Sequence, residues 1–279
     1  MTVKIVTDTL SDISDDIARK LGITMIPLTI SFGHESYLDR VEISAEEFYN
    51  RLTREPVLPT TTQPTPAAFA DIYNKLAKET NEILVIVLSS KLSGAYQSAI
   101  TAKSFAESDC RIEVIDSQSI IMCYGLIVIT AAKMAKAGAS LDEIIVGVNA
   151  RLAKSHLVAY FDTLKYLSKG GRIGKAQSLI GSMLSVKPIL TIKKGEMTPL
   201  TRVRSKAAGL DYLFNVVANT PGIENIAVEY CTNPKEADEL IRRISEILPK
   251  DIIYRSIVSP VVGTYSGPGA FAVSIVQKP

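Results

Sequence analysis

Ile83-Leu-Val-Ile-Val-Leu-Ser-Ser-Lys-Leu-Ser-Gly-Ala-Tyr-Gln-Ser-Ala99 is the stretch on which the reading of this chain turns. Its apolar, β-branched start, Ile83 to Leu88, has the length of a buried strand. The run breaks into a Ser/Gly turn, and the turn leads directly into a helical pattern. Such a turn aims backbone N–H groups and the positive end of a helix dipole at one point, here with Ser90 and Ser93 beside it. That is a place for an anion.

The same strand-to-helix unit recurs on both sides. Val3 to Thr7 reads as a strand, Ser11 to Leu21 as a helix closed by Gly22, and Ile23 to Phe32 as extended chain. Ser44-Ala-Glu-Glu47 is a capped helix start, and Thr65-Pro66 opens a helix through about Lys78. Arg111 to Ile115 is a further strand feeding a helix. This alternation predicts an α/β class chain whose residues 1–155 form a three-layer α/β/α domain with a mainly parallel sheet.

After Ser155 the interleaving loosens. Leu157 to Phe161 reads as a strand, Leu164 to Lys169 as a short helix stopped by Gly170-Gly171, and Ala176 to Leu184 as a helix. Pro188 to Lys193 and Met197 to Val203 form a hairpin around Lys194-Gly195. Helices over Lys206–Asn219 and Pro234–Leu248 flank a strand at Ile226–Tyr230. Residues 156–279 are thus expected to form an α+β domain with a mixed sheet.

Composition narrows the possibilities. With 47% apolar residues and no Trp among 279, the chain can build a large core, mainly of Ile, Leu, Val and Ala. No apolar run reaches the roughly 18 residues of a membrane span, so stable membrane insertion is not expected. Met1 to Asp8 reads as a strand without a signal peptide's apolar region, and Cys110, Cys123 and Cys231 lack metal-ligand spacing. Buried thiols in a cytoplasmic protein are the expectation. Charge is uneven: Thr163 to Leu210 holds ten basic residues against Glu196 alone, +9 within a chain of +2, which leaves −7 elsewhere. A basic face on an otherwise acidic chain is either a solvated surface or a dock for an acidic partner or phosphate, rather than a general nucleic-acid binder.

Two further segments share the hydroxyl-rich composition of the Ser93 turn. Pro59-Thr-Thr-Thr-Gln-Pro-Thr65 precedes a helix, and Val114-Ile-Asp-Ser-Gln-Ser-Ile120 ends a strand with Asp116, Ser117 and Ser119. In a parallel sheet, segments after strand C-termini gather on one edge, where ligands bind. Thr61, Ser93 and Ser117 are equally good N-caps when taken singly. A nucleophilic centre lacks its parts: there is no Gly-x-Ser-x-Gly elbow, and His34 and His156 are the only histidines. No phosphate-loop motif or metal cluster is present, so neither a catalytic residue nor a cofactor is predicted.

Taken together, Thr7-Asp8-Thr9 with Ser11-Asp12, Thr61-Thr-Gln-Pro-Thr65, Leu88 to Ala99 and Val114-Ile-Asp-Ser117 resemble the N-terminal half of the DegV family. Thr163-Leu-Lys-Tyr-Leu-Ser-Lys-Gly-Gly-Arg-Ile-Gly174, Val186-Lys-Pro-Ile-Leu190 and Gly267-Pro-Gly-Ala270 resemble its C-terminal half. The resemblance implies a cytoplasmic bacterial protein that holds one long-chain fatty acid in a tunnel between two domains. It also implies a partner, an ATP-dependent fatty acid kinase that phosphorylates the bound carboxylate for phospholipid synthesis. Carried over by position, Thr61, Thr62 and Ser93 grip the carboxylate, with Gly94 and Ser117 beside them and Arg172 near the head group. Arg172, Arg202, Arg204 and Lys206 would face the kinase. Family members often have a histidine two residues before the Gly-Pro-Gly, where this chain has Tyr265. A phenol still donates a hydrogen bond, but it is larger than an imidazole and does not titrate near neutral pH.

Two other readings stay open at this level. A stand-alone hydrolase or phosphotransferase acting on a small anion through Ser93 would need a base, and Asp8 and Asp116 are the candidates. Alternatively, the basic face docks nucleic acid or protein and the lipid is a structural ligand.

Overall fold

Local signals place most of the elements. The computed structural model describes residues 2–55, 57–107, 109–179 and 186–279. The first half runs β1 (Lys4–Asp8), α1 (Asp15–Leu21), β2 (Ile23–Ile26), β3 (Thr29–Phe32), β4 (Glu35–Leu38), α2 (Ala45–Arg54), β5 (Thr60–Thr62) and α3 (Pro66–Leu76). It continues through β6 (Glu82–Val87), α4 (Ala95–Ala102), β7 (Arg111–Asp116), α5 (Met122–Lys136) and α6 (Leu141–Leu152). The second half runs β8 (Ser155–Tyr160), α7 (Lys165–Lys169), β9 (Lys187–Lys193), β10 (Glu196–Val203) and α8 (Lys206–Ala218). It ends with β11 (Ile223–Tyr230), α9 (Pro234–Ile244), β12 (Ile253–Ile257), α10 (Pro260–Ser266) and β13 (Phe271–Gln277).

The predicted fold class holds: a parallel sheet early in the chain and a mixed sheet late. The first sheet has the order β2-β1-β6-β7, all parallel. The second has the order β10-β9-β8-β13-β11-β12, antiparallel except for β11 with β12. Lys194 and Gly195 both take positive φ (51° and 81°), the geometry that turns the β9–β10 hairpin in two residues.

Several boundaries depart from expectation for identifiable reasons. The extended run Ile23 to Phe32 divides at Pro27-Leu28, because Pro27 offers no N–H to a ladder. Its second part joins a separate antiparallel sheet of order β4-β3-β5. The first helix begins at Asp15 rather than Ser11, since Thr9–Ser11 forms a 3-10 turn under the Asp8 side chain and Ser14 supplies the cap. Gly174–Leu179 is a 3-10 stretch where an α-helix was expected, and the remainder of that expected helix, to Leu184, lies outside the described residues. The helix expected to reach Leu248 stops at Ile244.

Layers follow from alternation along the strands. On β8, Leu157 and Ala159 face one core while Val158 and Tyr160 face another. The inner core belongs to α5, which touches β1 and β6 of the parallel sheet and β8, β11 and β13 of the mixed sheet. That position explains its composition, apolar nearly all round from Met122 to Ala135. Helices α3 and α4 cover the outer side of the parallel sheet, and α8 and α9 that of the mixed sheet. No described helix is long and apolar enough to cross a membrane.

Candidate functional site

In the parallel sheet, the chain winds from β1 to its neighbour β2 on one side and from β6 to β7 on the other. The C-terminal ends of β1 and β6 therefore meet at the switch point where open α/β sheets hold ligands. A pocket of about 850 Å³, counting its open mouth, lies there between the two sheets. Leu10 and Leu88 follow β1 and β6, Ile120 and Ile121 precede α5, and Ala159 and Ala272 come from the mixed sheet. The latter two are cross-strand partners on β8 and β13, and their small side chains leave the space.

One end of the pocket is polar, with Thr61, Gln63, Ser93, Arg172, Tyr265 and Ser266 in its lining. Thr61 Oγ1 and Tyr265 Oη are hydrogen-bonded at 2.5 Å. The Arg172 guanidinium lies over the Tyr265 ring at 4.9 Å from the centroid, with Nε donating to Leu92 O and Nη1 to Gly170 O. Among the described residues Nη2 has no such partner and can serve a ligand. Two glycines permit this closeness: a Cβ on Gly170 would overlap the Tyr265 ring, and one on Gly267 the Tyr166 ring. The segments Tyr166–Arg172 and Tyr265–Gly269 thus interlock, each tyrosine seated on the other's glycine.

Four predicted ligand-binding residues, Thr61, Ser93, Arg172 and Tyr265, meet at this pocket. Thr62, Gly94 and Ser117 are not in its lining. Thr62 is exposed on β5, and Ser117 is buried in a turn, its Oγ accepting from Ser119 N. Thr61 arrives on the small antiparallel sheet rather than from a parallel strand end. The Ser93 turn is also less open than its composition implied. Ser90 N donates to Asp116, Lys91 N to Ser89 Oγ, and Leu92 and Ser93 N to Ser89 O. The Ser93 hydroxyl oxygen accepts from Ala95 N at 3.2 Å, and Gly94 N is among the turn's donors left without a partner among the described residues.

Arg202 and Arg204 are exposed, on and just beyond the edge strand β10, and Lys206 is paired with Glu236 at 3.2 Å. None of the three lines the pocket, so Arg172 stands apart from them. Gln63 and Ser266 were not anticipated as lining residues, since neither interrupts a local pattern.

Neither candidate base is hydrogen-bonded to Ser93. Asp8 is wholly buried and accepts from Leu10 N, Leu88 N and Tyr124 Oη. Asp116 Oδ1 accepts from Ser90 N and Gln118 N. Burial raises the Asp8 carboxyl to about 6, opposed by those hydrogen bonds, and raises Asp12 to about 8, opposed chiefly by Arg40. Burial lifts Glu229 well above its usual range, against the bonds it receives from Ser274 and Met122 N. Among the described residues no group of acidic, histidine or cysteine side chains is arranged to hold a metal.

Fold and pocket together define an α/β protein with an apolar pocket between its two sheets, polar at one end. The chain belongs to the DegV family, whose model matches residues 2–278. It is 38% identical over 280 residues to the DegV domain-containing protein TTE1491 of Caldanaerobacter subterraneus, covering 99% of each chain. Its structure is similar to that of DegV from Bacillus subtilis, described as a fatty acid binding protein, with TM-score 0.92, 28% identity and full coverage of both chains. A stearic acid-binding protein from Eubacterium ventriosum is also similar, with TM-score 0.90 and 25% identity, covering 99% of this chain and 98% of that one.

Proposed function

We propose that this chain binds one long-chain fatty acid, its tail in the apolar cavity and its carboxylate at Thr61, Ser93, Arg172 and Tyr265. The observation that carries this reading is the division of one pocket into a wide apolar wall and a single polar end holding an arginine. The descriptions of the structural relatives support it. At roughly 0.8 kcal/mol per buried CH₂, a tail of about fifteen methylenes offers on the order of 12 kcal/mol gross. Charged hydrogen bonds at the head add about 1.5–3 kcal/mol each before desolvation is subtracted. The tail supplies affinity and the head group supplies orientation.

The carrier then presents the carboxylate to a separate ATP-dependent fatty acid kinase in the cytoplasm, for phospholipid synthesis. Thr61, Arg172 and Tyr265 support this, because they also face an open outer depression together with Thr60 and Lys169. The exposed Arg202 and Arg204 suit docking of that partner. In this reading residues 1–155 supply Thr61 and Ser93, and residues 156–279 supply Arg172 and Tyr265.

Native and then denaturing mass spectrometry of the purified chain tests the reading. One fatty acid released per chain is expected; an empty chain that also refuses added fatty acids would remove it. Ser93→Ala is expected to retain lipid while slowing phosphorylation by the kinase, and an unchanged rate would exclude Ser93 from head-group orientation.

A further inference from the structure

Behind the apolar wall stands a layer of buried carboxyl groups, each tied to the backbone of the lining. Asp8 Oδ1 accepts from Leu10 N (3.0 Å) and Tyr124 Oη (2.7 Å), and Oδ2 accepts from Leu88 N (3.0 Å). Leu10 and Leu88 both line the cavity. Asp12 Oδ1 accepts from Ser259 N, between the lining residues Val258 and Val261. Glu229 Oε1 accepts from Met122 N, directly after Ile121, a lining residue held at φ 52°, where a β-branched side chain is strained.

We propose that Asp8 is a positioning residue for the acyl cavity: its ionised carboxylate joins the ends of β1 and β6 and the first turn of α5, and so sets the wall that the tail packs against. The inference rests on the fatty-acid reading above. Asp8 receives three donors. Two of those donors are backbone N–H groups that cannot reverse, so a proton on either oxygen weakens one of the ties to Leu10 or Leu88. Titration of this carboxyl falls near pH 6, because burial raises it. Tyr124 from α5 and Asp39 after β4 interact with it directly; Asp12 after β1 stands beyond Asp39, with Arg40, Tyr49 and Glu229 as its own charged or titratable neighbours. Of these, Asp39 is raised by burial into the same range and needs its own control. His34, in the β3–β4 turn, and His156, bonded to Gln277, lie outside the cavity lining.

The test is calorimetric titration of the delipidated full-length chain with a long-chain alkyl sulfonate, whose head group stays ionised throughout, between about pH 7.5 and pH 5. Affinity is expected to fall about tenfold on acidification, the equivalent of one charged hydrogen bond. The fall should persist in Asp39→Asn and be absent from Asp8→Asn, which binds weakly at every pH because its amide N–H₂ meets the Leu88 N–H. A flat wild-type profile overturns the proposal, as does a profile that flattens in Asp39→Asn. Should Asp8→Asn fail to fold, persistence of the fall in both Asp39→Asn and Asp12→Asn still assigns it to Asp8. Absence of sulfonate binding at any pH would remove the fatty-acid reading itself, a result distinct from pH-independent binding.

Discussion

Tyr265 makes three contacts at once: a hydrogen bond to Thr61, the guanidinium of Arg172 over its ring, and the Gly170 backbone beneath. Its hydroxyl is already engaged with Thr61, so a carboxylate must either join that pair or displace one member. Tyr265→Phe keeps the stacking and removes the hydrogen bond. It is expected to weaken fatty acid binding by about 1 kcal/mol, roughly fivefold, while a fatty alcohol loses less; titration of the two ligands measures the difference. Tyr265 and Arg172 were named only because their glycine-marked segments match motifs of the family. Gln63 and Ser266 were not, because their place in the pocket comes from the packing of whole segments.

The interlocked segments Tyr166–Arg172 and Tyr265–Gly269 and the alanine pair of β8 and β13 belong to the scale of elements. Gly170→Ala puts a methyl group into the Tyr265 ring and is expected to cost about 1–3 kcal/mol of stability, read as a lower midpoint in thermal unfolding. Ala272→Leu acts in the opposite direction on stability. It fills part of the cavity beside Ala159, so the lipid-free protein should unfold at a higher temperature. Affinity for a long acyl chain should drop more than for a short one, which a chain-length series would reveal. Two helix starts were legible from their caps: Ser44 and Thr65 each accept from the backbone N–H three residues on. The split at Pro27 was visible as a proline, but the sheet that takes Thr29 to Phe32 depends on pairing with β4 and β5.

For the molecule as a whole, the buried carboxyls govern the response to pH. Asp8 and Asp39 are raised to about 6 and Asp12 to about 8, all by burial. A folded-state value above the unfolded one means that the native protein binds more protons through that window. Stability therefore falls as pH rises from about 4 to about 8, and grows on acidification. Exposed carboxylates held down by neighbouring arginine or lysine, such as Glu35 beside Arg51 and Glu79 beside Lys4, act oppositely at lower pH. Thermal unfolding of the lipid-free chain should thus show a midpoint that climbs from about pH 8 to about pH 5 and declines below about pH 4. A midpoint that stays flat or falls on acidification from about pH 8 to about pH 5 would show that these groups ionise without cost. Acidification is in this way expected to strengthen the fold while loosening the lipid.

Strand and helix types and the parallel and mixed character of the two sheets could be read from residues alone, whereas the four pocket groups Thr61, Ser93, Arg172 and Tyr265 came from the family resemblance. The elements and sheets depend on short-range physics: β-branched runs, caps, and turns after strands. Partnership and burial could not be read, because they are properties of the packed whole. Thr61 meets Tyr265 across 204 positions and Arg172 meets Leu92 across 80. Asp8 looks locally like a turn residue, and it does cap the turn at Leu10. Only the passage of α5 between the two sheets seals it from water and turns an ordinary carboxylate into a buried tie behind the cavity wall.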